Sequence, residues 1–356
     1  MINVTKTFLP PFEEYTAILK RAWDKSWITN NGMLVQELEQ KLKEYLGVKH
    51  LFYCSNGMVV LQMALKALNI TKEVITTPFS YVATPNAIIW QGCTPVFVDI
   101  DSSDFNIDPG KIEAAITENT QAILATHVYG FPCNIEKIEA IAQKHHLKVI
   151  YDAAHTFGAT YNQKAVMQYG DISTCSFHAT KVFHSVEGGC IVTNDDEVAR
   201  QLFLFRSFGH IGDDYYSVGI NAKNSEFHAA MGLCVFNHFD EIIQGRKNIV
   251  EHYNKLLPNI ARPASRDSSK WNYCYYPVIF KTEEQLLKVK QALSAEGIFS
   301  RRYFYPSLNK LSYLDAIYHC PISEDISVRV LALPLYEGLP LEDVRTICSI
   351  INKCVD

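Results

Sequence analysis

The segment Val149-Ile150-Tyr151-Asp152-Ala153-Ala154-His155 carries an apolar run into an acid and then into small residues. A short apolar run of this kind reads as a buried strand. The same texture extends outward on both sides. Before it come a helical pattern over 36–46, a strand over 51–54, and a helical pattern through Leu68 after Ser55-Asn56-Gly57. Then follow a strand over 73–76, a helix over 82–91, a strand over 95–99 and a helix over 109–116. A strand over 122–126 and a helix over 135–145 lead into the strand over 148–151. This alternation predicts an α/β fold with a mostly parallel sheet and helices on both faces. Residues 172–177 and 190–193 read as two further strands. They are too close for a helical crossover, so at least one sheet member is expected to be antiparallel.

Beyond this region, 225–257 reads as one long helical stretch bent at Gly245. An aromatic strand over 271–280, a helix over 283–296 and a short strand over 331–335 follow. The change of texture predicts a large domain over 1–245 and a smaller α+β domain over 246–356, with the N-terminal segment packing on the smaller one.

Composition narrows the function classes. The chain has 356 residues, 48% of them hydrophobic, enough for a sizeable core without a disulfide or metal staple. The net charge of −5 gives no support to nucleic-acid or anionic-membrane partners. The 10 Cys form no CxxC, so zinc and thioredoxin-like spacings are missing. Scattered cysteines read as small buried hydrophobes in a reducing compartment. No apolar run reaches the roughly 18 residues of a membrane span, and the first 15 residues lack the layout of a signal peptide. The expectation is a cytoplasmic enzyme or binding protein.

Three motifs carry chemistry. Asp152 closes its strand, and ligands of parallel α/β sheets bind at the carboxyl ends of strands; alone, it reads equally well as the cap of the next turn. Ser176-Phe177-His178-Ala179-Thr180-Lys181, with Val186-Glu187-Gly188-Gly189 behind it, holds a lysine on a turn beside the sheet. Such a lysine serves as a Schiff-base nucleophile if burial deprotonates it; alone, it reads as a solvated loop lysine. Ser55-Asn56-Gly57-Met58 opens a helix, where free N–H groups bind phosphate, and many helices begin this way. Together, a phosphate cradle, a strand-end carboxylate and a lysine are the parts that pyridoxal 5′-phosphate needs. The lysine bonds it, the carboxylate keeps its pyridine nitrogen protonated so that the ring is an electron sink, and the helix start with Ser176 holds its phosphate. His127, His178 and His184 fit no zinc spacing and read as packed or turn residues. No GxGxxG follows a strand, which counts against a nicotinamide enzyme.

At these residues the chain resembles the DegT/DnrJ/StrS sugar aminotransferases, of the type I aspartate-aminotransferase fold. The likeness runs through Trp27 to Gly32, Thr77-Pro78-Phe79-Ser80-Tyr81-Val82-Ala83-Thr84 and Pro95-Val96-Phe97-Val98-Asp99-Ile100. It continues through His127-Val128-Tyr129-Gly130, Asp152 to His155, Ser176 to Gly189, Asn221 to Gly232 and Leu331 to Tyr336. The resemblance implies that Lys181 bonds the cofactor and shuttles the proton, and that Asp152 pairs with the pyridine nitrogen. His155 would contact the ring hydroxyl, Tyr81 would stack on the ring, and Gly57, Met58 and Ser176 would hold the phosphate. Asn221 would reach that phosphate from the partner subunit, which makes a homodimer part of the site. Thr29, Arg301, Arg302 and Tyr303 would contact substrate.

Met58 stands where the family usually has Thr or Ser, so only its backbone N–H serves there. Ala222-Lys223 stands where the family commonly has an aromatic or small residue and Arg, so the resemblance assigns no substrate contact there. The retained Lys181 argues against the family's dehydratases, and no reactive-cysteine loop suggests a desulfurase. The lysine loop and Arg301-Arg302-Tyr303-Phe304-Tyr305-Pro306 look most like nucleotide-sugar 4-aminotransferases that make dTDP-4-amino-4,6-dideoxyglucose. These would use L-glutamate, with pyridoxamine 5′-phosphate as the alternate cofactor form, in a ping-pong reaction. A 3-amino-forming or UDP-sugar enzyme of the same family is the alternative, and a non-catalytic pyridoxal-phosphate sensor is the alternative of another class.

Overall fold

The computed structural model describes residues 1–314 and 316–355. Among these residues, seven strands build the central sheet: β1 (His50–Cys54), β2 (Glu73–Thr76), β3 (Thr94–Phe97), β4 (Thr120–Thr126), β5 (Lys148–Asp152), β6 (Ile172–Ser176) and β7 (Gly189–Thr193). Their order across the sheet is β1-β7-β6-β5-β4-β2-β3. β7 runs antiparallel to both neighbours, and every other pairing is parallel. The expected antiparallel member is therefore the strand that returns from the lysine loop.

Successive side chains leave a strand on opposite faces, so a sheet covered twice needs apolar residues at every position. β5 meets this need. Ile150 packs among Val60, Leu61 and Ala64 of the helix Gly57–Ala67, while Val149 and Tyr151 pack among Ile135, Ile138 and Ala142 of the helix Ile135–His145. A third cluster joins Leu34, Leu38, Phe157, Phe177, Phe183 and Leu233. Register decides what lies at the carboxyl edge. Asp152 is opposite Thr126 of β4 and Thr174 of β6, and Gly189 is opposite both Ser176 and Cys54.

The stretch 225–257 is two helices, Glu226–Asn237 and Phe239–Leu256. The break falls at His238, not at Gly245. Phe239 turns into the aromatic cluster of Phe157 and Phe183, and the His238 imidazole meets Glu14 at 2.7 Å. Gly245 lies inside the second helix because Glu337 packs close there; a Cβ would sit 3.0 Å from Glu337 Cγ. This helix carries Ile242 in the large core, and Ile249, Val250 and Tyr253 in a C-terminal core with Val278, Leu286, Leu333 and Ile347.

Only Tyr276–Ile279 of the aromatic stretch is a strand, antiparallel to Val330–Leu333. The preceding residues are diverted: Arg246 donates to the carbonyls of Tyr273 and Cys274 at 2.8 and 2.7 Å, and Asn272 donates to those of His155 and Phe157 at 2.8 and 2.9 Å. At the N-terminus, Ile2–Asn3 pairs in parallel with Ile298–Phe299 of the C-terminal region.

Candidate active site

β5 delivers Asp152 to the carboxyl edge of the sheet, with the residue only 5% exposed. Its carboxylate accepts from the Thr84 hydroxyl at 2.7 Å and from the Ala154 N–H at 3.1 Å. Burial pushes the Asp152 pKa up, and Thr84, the Ala154 N–H, Lys181 and Thr126 restrain that rise.

β6 ends at Ser176, and the chain loops out before returning as β7. The loop is pinned at its base: the Phe177 N–H donates to Gly188 O at 2.8 Å, and the Ser185 N–H donates to Phe177 O at 2.9 Å. Phe177 and Phe183 anchor it in the aromatic core around Phe157. These anchors present the Lys181 side chain to the cavity. Burial lowers the Lys181 pKa from its ordinary value, while the negative charge of Asp152 holds it up. Loss of the proton frees the amine lone pair for nucleophilic attack.

Across from it, β1 runs into the helix Gly57–Ala67. Asn56 caps this helix, its side-chain oxygen accepting from the Met58 and Val59 N–H groups at 3.1 and 2.9 Å. The Met58 N–H expected for phosphate is thus bonded to Asn56 here. Gly57 lies against Ser176, and a Cβ on it would stand 2.7 Å from Ser176 Cβ. Only a residue without a side chain lets the helix start approach Ser176 this closely. The Ser55 N–H donates to Ala222 O at 2.8 Å, which ties the turn to the segment after Asn221.

His155 forms part of the wall. Its ring is stacked on Phe304 at 5.6 Å and edge-on to Tyr275 at 5.2 Å. Its Nδ1 is buried without a partner. Burial, then the charge of Lys181, pushes its pKa well below the usual histidine value, so the imidazole is neutral.

These groups face one cavity of about 390 Å³. Gly57, Met58, Asp152, His155, Ser176 and Lys181 line it. So do Tyr81, 59% exposed at the mouth, and Arg301 and Tyr303 on the far side. Three expected residues are elsewhere. The Arg302 guanidinium is engaged by Glu283 at 2.7 Å and Val328 O at 3.1 Å, and it covers the Tyr305 ring. Arg302, expected at the substrate, therefore does not line the cavity. Thr29 is exposed on a loop, its carbonyl taken by the Trp27 indole. Asn221 is exposed and bridged to Ser207, and does not line the cavity of its own chain.

His127 and His184 are packed residues. His127 Nδ1 accepts from the Cys133 N–H at 2.9 Å, burial takes its pKa down to about 3, and His184 Nε2 bonds Phe8 O at 2.7 Å. His178 instead faces the cavity, 3.6 Å from Glu187. Thr84, Tyr275 and Phe304, to which no motif assigns a role, complete the surroundings of Asp152 and His155. Thr84 closes the Thr77 to Thr84 motif, but no sequence signal separates a buried hydroxyl from a capping one.

A doubly wound sheet with one antiparallel member, and a lysine and a carboxylate facing one cavity at its carboxyl edge, is the architecture of type I aminotransferases. The chain belongs to the DegT/DnrJ/EryC1/StrS aminotransferase family, whose sequence model matches residues 12–352. It is 40% identical to dTDP-4-amino-4,6-dideoxy-D-glucose transaminase of Shigella dysenteriae, over 99% of this chain and 98% of that one. It is 39% identical to the Escherichia coli enzyme of the same name, over 98% of each. The crystal structure of DesI with its TDP-sugar product superposes with a TM-score of 0.94 at 32% identity, covering 99% of this chain and 93% of that one.

Proposed function

We propose that this protein is a pyridoxal-phosphate-dependent transaminase. It moves an amino group from L-glutamate to dTDP-4-keto-6-deoxyglucose, giving dTDP-4-amino-4,6-dideoxyglucose. The observation that carries the reading is the shared cavity of Lys181 and Asp152, in a chain so close to named sugar-nucleotide transaminases over its full length.

The residues fit the cofactor on three counts. A buried carboxylate suits a protonated pyridine nitrogen. The unpartnered Nδ1 of a neutral His155 suits the ring hydroxyl. The close approach of Gly57 to Ser176 leaves a cradle that a Cβ would fill. When bound, the group supplies an electron sink and carries the amino group between donor and acceptor.

Each side chain then has a task. Lys181 holds the cofactor and moves a proton to and from the reacting carbon, as a base whose pKa burial has brought toward the working range. Asp152 keeps the ring nitrogen protonated, and Tyr81 covers the ring at the mouth. Arg301 and Tyr303 bind the sugar nucleotide, because the guanidinium fork suits its phosphates. Asn221 completes the phosphate site of a second copy. It follows the segment 210–220, a hairpin of His210–Ile211 with Asp214–Tyr215 and the residues after it, which exposes Ile211, Tyr215, Val218 and Ile220, an apolar surface of the kind that marks an interface. The same reading divides the chain near residue 245, and places it in the cytoplasm, where its ten unpaired cysteines stay reduced.

The test supplies purified protein with pyridoxal phosphate, L-glutamate and dTDP-4-keto-6-deoxyglucose, and follows product by mass spectrometry and NMR. A C4-aminated dTDP sugar supports the reading. Turnover of only a UDP or GDP sugar, or amination at C3, replaces the substrate. No transfer from any amino donor replaces the class.

A further inference from the structure

We infer that Thr84 is a positioning residue for Asp152, the last of a buried chain of hydroxyls in which Ser80 donates to Thr84 and Thr84 to the carboxylate. The inference rests on the proposed binding of pyridoxal phosphate at this site.

The chain runs from Thr126 to Ser80 at 3.1 Å, from Ser80 to Thr84 at 2.8 Å, and from Thr84 to Asp152 Oδ2 at 2.7 Å. All three hydroxyl residues are buried. Proton counting fixes the direction of its last two bonds. An ionised carboxylate only accepts, and each hydroxyl has one proton to give. Thr84 spends its proton on Asp152, so Ser80 must donate to Thr84. Thr126 also lies 3.5 Å from Thr84 and beside Asp152, and gives its one proton to Ser80 or to the carboxylate. Hydrogen bonds in such a chain polarise one another and strengthen the last.

The members sit on separate rigid elements. Thr126 ends β4 in register with Asp152, and Thr84 lies in the first turn of the helix Ala83–Trp90. The Thr84 N–H also donates to Tyr81 O at 3.2 Å, which joins the residue over the cavity mouth to the carboxylate at its floor.

The other titratable groups around Asp152 leave this chain an important share. They are Lys181, His155, His127, Cys133 and Cys175. Burial keeps both imidazoles neutral and both thiols protonated. Lys181 is the one cation of the set, and its support vanishes when its amine is neutral. The Thr84 and Thr126 hydroxyls and the Ala154 N–H then hold the carboxylate charged.

The test measures pyridoxal phosphate binding to the full chain by equilibrium dialysis, from mildly acidic to mildly basic pH, for wild type, Thr84→Val, Thr84→Ser and Ser80→Ala. Thr84→Val is expected to bind about tenfold more weakly near neutrality, from the loss of one hydrogen bond to a charged group. Its loss of affinity on acidification is expected to begin at higher pH, because Asp152 takes up a proton more readily. Thr84→Ser is expected to restore both properties. Ser80→Ala, which keeps the Thr84 bond but removes its donor, is expected to shift the profile the same way by less, and it carries the test if Thr84→Val does not fold. A uniform loss of affinity with an unmoved pH profile, or a Thr84→Ser protein no better than Thr84→Val, overturns the inference and leaves the proposed function standing. Failure of the wild type to bind pyridoxal phosphate overturns both.

Discussion

Arg301 and Arg302 are consecutive and face different parts of the molecule. Arg301 lines the cavity with its guanidinium 5.2 Å from the Tyr303 ring centre, while Arg302 is tied to Glu283 at 2.7 Å. Two adjacent arginines thus predict two separable phenotypes. Arg301→Ala is expected to raise the KM for the sugar nucleotide about tenfold or more, the loss of a hydrogen bond to a charged group. Arg302→Ala is expected to leave that KM unchanged and to lower the unfolding midpoint. Steady-state kinetics with each substrate varied, together with thermal unfolding, check both.

Gly57→Ala places a methyl group 2.7 Å from Ser176 Cβ. Overpacking of this kind costs about 1–3 kcal/mol, and relief requires the helix start to move away from Ser176. The variant is expected to be less stable without cofactor and to bind pyridoxal phosphate more weakly. Urea unfolding and dialysis measure the two effects.

The fold was largely legible because its signals are local. Short runs of four to seven residues, each ending in a turn, mark the seven strands of the sheet, and most are apolar; β6, Ile172-Ser173-Thr174-Cys175-Ser176, is the most polar. The helix Asp196–Arg206 is signalled in the sequence by Asp195, which caps it by accepting from the Glu197 and Val198 N–H groups. The helices Phe12–Trp23 and Leu341–Val355 lie outside the alternating strand and helix pattern. The break at His238 was not legible, because it is set by long-range packing of Phe239 and by Glu14, far away in sequence. In the site, Asp152, Ser176 and Lys181 stood out as strand-end or turn residues. A basic-aromatic run does not show which arginine has a partner, and Glu283 supplies that of Arg302 from the helix Glu283–Ala295.

Glu39 and Arg206 form a buried ion pair beneath the turn that follows β1. Glu39 also accepts the Tyr53 N–H at 2.7 Å, and Arg206 lies over the Phe52 ring. Glu39→Leu leaves a buried guanidinium without its counter-charge and a strand N–H without an acceptor. Removal of one partner of a buried pair costs about 3–5 kcal/mol. A matching Arg206→Met change in the same protein is expected to recover part of that loss, and urea unfolding of the single and double variants reads it.

The Lys181 amine titrates below its ordinary value of 10.5, and Asp152 opposes that shift. Capture of added pyridoxal phosphate by the cofactor-free protein is therefore expected to quicken as pH rises through the Lys181 pKa, where the neutral amine becomes available. Asp152→Asn removes the opposing charge, so that limb is expected to move to lower pH. The maximum rate of the half-reaction with glutamate is expected to fall about 10²–10⁴-fold, comparable to loss of an acid or base in the site. Stopped-flow rates across pH, compared between wild type and variant, decide the sign.

The most direct test of the central claim is the visible absorption spectrum of the protein reconstituted with pyridoxal phosphate, before and after L-glutamate. The account predicts a yellow, lysine-bonded chromophore that bleaches with glutamate and is absent from Lys181→Ala reconstituted in the same way. A wild-type protein with no such band, or a Lys181→Ala protein that keeps it, would contradict the assignment of Lys181 and the function built on it.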